Sequence, residues 1–174
     1  MTRAPDPPEK LAPRLVANAA TWQQILGVDT SALAMFGRVS ALALGWAALQ
    51  REALNGFGIN YAELTVLGTL RVSEPDHRRS PTELRMLIGQ SSAGMTRILD
   101  KLEGDGHLRR EDTEGDRRRV DIVLTPSGAA LAEQAVAAVV AVETGVLAPL
   151  AAEERAAMAR GLDALLAAFA ARPK

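Results

Sequence analysis

Apolar residues recur at steps of three and four along most of the chain, a pattern that predicts helices with one buried face. The longest of these stripes consists of Leu33, Phe36, Val39, Leu42, Ala43, Trp46 and Leu49. Another stripe, near the end of the chain, consists of Met158, Leu162, Leu165, Leu166 and Phe169. A shorter helix is predicted from Arg14 to Leu26, where Gly27 ends it. The chain is therefore expected to be mainly helical, with long apolar faces towards both ends.

Two further helix starts carry side chains that can bond the free N–H groups of a first turn. Asn60 is followed three residues later by Glu63, which is the pattern of a reciprocal cap. Ser80 and Glu83 repeat this arrangement, and Pro81 occupies the first helical position, where a missing N–H costs nothing. These signals predict one helix after Asn60 and a second, short helix after Ser80.

A third helix is predicted directly after the short one, because Gly89 allows a tight turn and Ser91 or Ser92 can cap the next start. Its inward stripe is Met95, Ile98, Leu99 and Leu102. Its outward side carries Ser92, Thr96, Arg97, Asp100 and Lys101. Two helices joined by so short a turn are typical of a helix-turn-helix motif.

The next segment changes from a helical period to a period of two, which predicts a β-hairpin. Val120, Ile122 and Leu124 alternate with Asp121 and Val123 as in a half-buried strand, and residues 108–111 offer a partner strand. Between them, residues 112–119 are polar and contain a glycine, as hairpin tips do. Thr125 and Pro126 then begin another helix. The fold class expected is mainly α with a small β-hairpin wing, a winged helix-turn-helix flanked by N- and C-terminal helices.

Composition and charge exclude several classes of function. With 20 basic and 21 acidic residues the net charge is −1, so total charge indicates neither a nucleic-acid coat nor a membrane anchor. The absence of cysteine excludes disulfides, thiolate zinc sites and cysteine nucleophiles. His77 is expected to be exposed and His107 to pack or cap, and two separated histidines do not make a metal site.

Other classes of protein leave signals that this chain lacks. The longest stretch without charge, residues 15–28, is shorter than the ~18 residues of a spanning helix. No signal peptide, nucleophile motif, phosphate-binding glycine loop or paired carboxylates are evident. We therefore expect a cytoplasmic protein that is not an enzyme, binds no cofactor and does not enter a membrane.

The helix that begins near Ser91 has the features of a helix that reads DNA. The small polar residues Ser91 and Ser92 would let its N-terminus approach the major groove of double-stranded DNA, where free N–H groups favour phosphate. Thr96 and Arg97 are placed to reach base edges, and Lys101 is better placed for phosphate.

The hairpin tip adds a basic cluster, Arg117, Arg118 and Arg119, which a thin ribbon could insert into the minor groove. Asp116 is expected to orient this wing by holding an arginine or the turn. Between residues 61 and 128 the chain has 11 basic and 12 acidic residues, so only their clustering could create a positive face. The alternative is a winged-helix module for protein interaction or ligand binding without useful DNA affinity.

Residues 60–128 resemble the DNA-binding core of the MarR family of bacterial transcriptional regulators. The resemblance is carried by INYAELTVLGTL, SPTELRMLIGQSSAGMTRILDKLEGDGHLRR and REDTEGDRRRVDIVLTPSG. The third segment is the most specific, because the family wing combines an Asp-Arg-Arg tip, a strand and Leu-Thr-x-x-Gly at the next helix. The segment before Asp29 is longer than the usual family start, and the lack of cysteine excludes the branch that senses peroxide through a thiol.

This resemblance implies a homodimer that reads a pseudopalindromic operator, with Arg118 as the minor-groove arginine. It further implies repression of genes and release from DNA by a small, often aromatic, effector. A dimer is also favoured by the two terminal apolar stripes, which a winged module this small cannot cover. Trp46, Phe57 and Tyr61 are candidates for the effector pocket, although aromatic residues at helical spacing are more often part of a core.

The chain is expected to divide into four parts. Residues 1–13 contain Pro5, Pro7, Pro8 and Pro13 and are expected to form a flexible leader. Residues 14–56 form N-terminal dimerisation helices, residues 57–128 the winged helix-turn-helix, and residues 129–174 C-terminal dimerisation helices.

Overall fold

The computed structural model describes residues 8–73, 76–113 and 116–172, and the side chains of residues 8, 9, 113 and 116–119 lie outside this description. Its elements are α1 (Pro8–Leu26), α2 (Ser31–Ala53), α3 (Tyr61–Arg71), β1 (Arg78–Arg79), α4 (Pro81–Ile88), α5 (Ser92–Gly104), β2 (Leu108–Thr113), β3 (Asp116–Leu124), α6 (Pro126–Leu147) and α7 (Ala152–Ala170). The predicted fold class, mainly helical with a small wing, is confirmed.

The first helix begins earlier than its sequence indicates. Because α1 already includes Pro8, the prediction of a flexible leader over residues 1–13 is wrong for residues 8–13. A proline in the first turn of a helix removes no hydrogen bond, and Pro13 removes only one. Further along, α1 packs closely on α2, since a Cβ placed on Gly37 would lie 2.9 Å from the Cβ of Leu15.

The predicted caps form as expected. Asn60 Oδ1 accepts from the backbone N of Glu63 at 3.0 Å, and Glu63 Oε2 accepts from the backbone N of Asn60 at 2.9 Å. Ser80 and Glu83 make the same reciprocal pair at the start of α4. These local bonds fix the residues at which α3 and α4 begin.

The sheet has three antiparallel strands in the order β1-β3-β2. The hairpin β2–β3 pairs Leu108 with Leu124 and Asp112 with Val120, which confirms the predicted strands. Strand β1 was not predicted, because Arg78 and Arg79 carry no local strand signal and pair with β3 only through tertiary structure.

One apolar core lies between the helix-turn-helix, the sheet and α6. Its largest fully buried side chains are Val66, Leu67, Leu70, Leu84, Leu102, Leu108 and Ile122. The inward stripe predicted for α5, Met95, Ile98, Leu99 and Leu102, is buried throughout. The core thus holds α5 by one face and leaves its opposite face outside.

The two ends of the chain expose large apolar surfaces. Helix α7 has no buried residue, and its side chains Met158, Leu162, Leu166 and Phe169 are each at least 43% exposed. Helices α2 and α6 are also long and apolar enough to cross a membrane by length and composition alone. Both contain charged residues, among them Arg38 in α2 and Glu133 in α6.

Candidate nucleic-acid interface

A tight turn joins α4 to α5. Gly89 has a φ of +70°, a conformation that glycine adopts without strain, and it ends α4. Ser91, one of the two residues predicted as the cap, has its Oγ 3.1 Å from the backbone N of Gly94 and accepts a hydrogen bond from it. Ser92 and Ala93, the next residues of this first turn, are both exposed, so their N–H groups are accessible at the start of the helix.

The outer face of α5 is polar and open. Thr96 and Arg97 are both exposed, and the structure gives Arg97 no ion pair with any residue that it describes. Thr96 Oγ1 donates to the carbonyl oxygen of Ser92 at 3.0 Å, so its hydroxyl can still accept a hydrogen bond and its methyl group remains free. These side chains could meet a ligand without rearranging the core.

The prediction that Lys101 contacts phosphate does not fit its position. Its Nζ donates to the carbonyl oxygen of Gly58 at 3.0 Å, to Glu63 Oε2 at 3.1 Å and to Asp105 Oδ2 at 3.2 Å. All three N–H donors of the ammonium group therefore have acceptors within the protein. Lys101 joins α5 to the start of α3 and balances the charge of the buried Glu63.

The wing extends further as a strand than its sequence predicts. The backbone of Asp116 and of residues 117–119 belongs to β3, so only residues 114–115 separate the two strands. The side chains of Asp116, Arg117, Arg118 and Arg119 lie outside the described residues. Their contacts with a ligand, and the orienting role of Asp116, stay predictions.

Two ion-pair clusters around the sheet were not predicted. Arg110, on β2, bonds Asp100 and Glu103 of α5. Arg78, on β1, lies within 4 Å of Asp76, Glu111 and Asp121. Apart from Asp76, which is two residues from Arg78, the partners lie on another element of the fold, so no motif in the sequence marks these clusters.

An apolar groove of about 380 Å³ runs between α3 and α6. Tyr61 and Glu143 lie along it, and Trp46 contacts both: its ring packs edge to face on Tyr61 at 5.4 Å, and its Nε1 donates to Glu143 Oε1 at 2.6 Å. Phe57, the third residue predicted for this pocket, packs against the core and is not among the groove residues. Trp46 does not line the groove either, so the parts of Trp46 and Phe57 in an effector pocket stay predictions.

The histidines flank the end of β3. The carbonyl oxygens of His77 and His107 accept from the backbone N of Leu124 and Thr125. His77 has a φ of +52° and is half-buried, which corrects the expectation that it is exposed. Within the described part of the chain, no three His, Cys, Asp or Glu residues come together as a metal site.

Known proteins resemble this winged helix-turn-helix in sequence. The family model described as MarR family matches residues 57–119, which contain the helix-turn-helix and most of the wing. The HTH-type transcriptional regulator PecS of Dickeya dadantii is 30% identical over 128 residues, 74% of this chain and 77% of PecS. The chain belongs to the MarR family.

A further curated regulator and a solved structure are also similar to this chain. The transcriptional repressor MprA of Escherichia coli is 35% identical over 79 residues, 45% of this chain and 44% of MprA. The crystal structure of mutant MarR C80S from E. coli, complexed with operator DNA, superimposes with a TM-score of 0.66 at 26% identity. That alignment covers 83% of this chain and 97% of MarR, so the similarity extends beyond the residues that the family model matches.

Replacing Lys101 with methionine is expected to lower the free energy of unfolding by about 1 kcal/mol, because Glu63 loses its counter-charge. Burial lowers the pKa of Lys101, but its bonds to Glu63 and Asp105 outweigh burial and raise it overall. The stabilisation is therefore present below the ordinary lysine pKa of about 10.4 and is lost as pH rises through the folded value. Urea unfolding of the parent protein and of Lys101→Met at several pH values measures the difference in their free energies of unfolding.

Lys10, an exposed lysine on α1, provides the matched control: Lys10→Met should change the free energy of unfolding little. A Lys101→Met protein as stable as its parent would contradict the ion pair's role.

Proposed function

We propose that this MarR-family protein is a transcriptional regulator that binds double-stranded DNA as a homodimer. The observation that carries the proposal is the exposed, polar outer face of α5 beside an antiparallel ribbon, both anchored on one core. Ser91, Ser92, Thr96 and Arg97 would enter the major groove, and Arg117–Arg119 the adjacent minor groove. Lys101 is not included, because its ammonium group is satisfied internally.

The distribution of charge supports this assignment despite the net negative core. The acidic residues Glu63, Asp100, Glu103, Glu111 and Asp121 are each paired with a basic side chain. This pairing neutralises acids around α5 and the sheet, while Arg97 has no ion pair among the described residues. The positive potential of the outer face then depends on Arg97 and the wing arginines rather than on total charge.

The homodimer is supported by the exposed apolar side chains of the terminal helices. Phe36 of α2 contacts Phe169 of α7 at 5.9 Å, so the two ends of the chain already meet in one apolar region. Both rings are more than 40% exposed. A second copy related by a two-fold axis would cover this region and place two α5 helices about one DNA turn, ~34 Å, apart. We propose that the protein is cytoplasmic and that this contact shields part of the apolar surface of α2.

Repression by occlusion of a promoter is the mode of regulation that we propose, in keeping with the repressor MprA. The relatives reported above are transcriptional regulators, and we propose no catalytic activity. A winged-helix module for protein interaction is the alternative, favoured by the net charge of its core.

Arg118→Ala is expected to weaken DNA binding by about 1–3 kcal/mol and to reduce the salt slope of log K by about 0.9. The probe is the duplex that the parent protein enriches most from a random-sequence pool, called the selected duplex below. Titration of fluorescent duplex at several salt concentrations measures both quantities. Arg160→Ala, which removes an equal charge from α7, is the control. A parent protein that enriches no sequence and binds duplexes only weakly would contradict the proposed function and favour the interaction module.

We also propose that the α3–α6 groove binds a small aromatic effector. Val136, Val139 and Val140 give it apolar walls, and Tyr61 offers a ring for stacking. Glu143 is the one charged group among the described residues that line it. Burying a carboxylate ligand beside Glu143 would be unfavourable, so a neutral or cationic aromatic compound fits better than an aromatic acid.

Filling the groove is expected to abolish the response to such a compound. Gly68 lines the groove, and a Cβ placed there meets no atom within 4 Å, so the side chain of Gly68→Leu should project into the groove. Thermal-shift measurements with paired aromatic amines and acids, followed by DNA release, provide the test. Gly145→Leu, at an equally open position on α6, is the control. Equal shifts in both variants would contradict the groove as the effector site.

A further inference from the structure

A group of polar contacts joins the wing to α5 in addition to the apolar core that they share. Arg110 Nη2 donates to Asp100 Oδ1 at 2.7 Å, and Arg110 Nη1 donates to Glu103 Oε2. The backbone N of Arg110 also donates to Glu103 Oε1 at 3.1 Å. Because β2 is an edge strand, this N–H would otherwise point away from the sheet without a partner. Three hydrogen bonds therefore tie one strand position to two helix positions.

The geometry of these bonds constrains rotation as well as distance. Asp100 and Glu103 are three residues apart, so they project from one side of α5 and meet both nitrogens of the guanidinium fork. A strand of this length is about 20 Å long, so a rotation of about 10° at its root would move the wing tip by about 3 Å. A displacement of that size equals the length of a hydrogen bond and would misplace any groove contact made at the tip.

We propose that Arg110 is a positioning residue for DNA binding, which locks α5 and the wing at the angle needed to enter adjacent grooves. This inference rests on the proposed function. It also assigns Asp100 and Glu103 a favourable part in binding, although both are negative and belong to the helix that would approach phosphate. Simple electrostatics assigns them the opposite part, because removing negative charge near DNA strengthens non-specific binding.

The double variant Asp100→Asn with Glu103→Gln distinguishes positioning from simple electrostatics, because the two predict opposite changes in affinity for the selected duplex. Positioning predicts that its affinity for the selected duplex falls about tenfold, the size of one charge-assisted hydrogen bond, while affinity for a scrambled duplex is unchanged or higher. Electrostatics alone predicts tighter binding to both. A rise in affinity for the selected duplex would overturn the proposal.

Variants of Arg110 distinguish positioning from direct contact. Arg110→Met should weaken binding to the selected duplex but leave the salt slope unchanged, whereas loss of a phosphate contact would lower it by about 0.9. Arg109→Met removes one positive charge and the ion pair to Glu111 from the adjacent position, but leaves the bonds between Arg110 and α5 in place. Arg110→Lys keeps the positive charge but loses the two-nitrogen fork of the guanidinium group. Its preference for the selected over the scrambled duplex should therefore be little better than that of Arg110→Met. A preference equal to that of the parent protein would overturn the proposal.

Unfolding curves of every variant verify that the fold is retained, and the parent protein separates the two levels of failure. If the parent protein enriches no duplex from the pool, both the proposed function and this inference are contradicted. If the parent protein binds its selected duplex and the variants lose no selectivity, only the inference about Arg110 is contradicted.

Discussion

Replacing Gly128 with alanine is expected to lower the free energy of unfolding by about 3 kcal/mol, the upper range for overpacking a rigid site. A Cβ at this position would lie 1.9 Å from the carbonyl oxygen of His107 and 2.8 Å from its carbonyl carbon. Both neighbours are backbone atoms, and the same carbonyl accepts from the backbone N of Thr125 at 3.2 Å. The start of α6 would have to move away from the turn between α5 and β2.

Gly145→Ala, on the same helix, should have the opposite sign. Its Cβ meets no atom within 4 Å, and alanine favours a helix interior over glycine by about 0.5–1 kcal/mol. Urea unfolding of both variants at equal protein concentration measures the difference, since stability linked to dimerisation depends on concentration. If both substitutions proved stabilising, the close approach of α6 to His107 would be refuted.

The helix starts could be predicted because their signals are local. Asn60 and Glu63 are three residues apart, and the hydrogen bonds that they form need no other part of the chain. The same holds for Ser91 at the start of α5. Strand β1 could not be predicted in this way, because Arg78 and Arg79 become a strand only when the free edge of β3 lies beside them.

The candidate interface could be predicted only in part, for the same reason. Sequence places Arg97 and Lys101 together on the outer side of one helix, yet Lys101 meets Glu63, a residue 38 positions earlier. Whether a basic residue is free or paired depends on such distant partners. Phe57 shows the corresponding difficulty for aromatic residues, since both core packing and pocket lining fit its sequence context.

Placing a charge on the apolar face of α7 is expected to separate the proposed dimer. Leu162 is 50% exposed in one chain, and the dimer would bury it in two symmetric copies, so Leu162→Glu would bury two uncompensated carboxylates. We expect the dimer dissociation constant to rise at least about 100-fold, equivalent to roughly 2.7 kcal/mol. Because a monomer reaches only half of a two-fold site, binding to the selected duplex should fall by at least as much. Sedimentation velocity measures the first quantity and duplex titration the second.

Ala164→Glu changes the charge of α7 equally, but its side chain points away from the stripe formed by Leu162, Leu166 and Phe169. It should leave both the dimer and the DNA affinity close to those of the parent protein. If Leu162→Glu stayed dimeric, α7 would lie outside the interface, and the exposed stripe would need another partner. If it became monomeric yet bound the selected duplex as tightly as the parent protein, each winged module would act alone. The two-fold arrangement of α5 helices would then have no part in recognition.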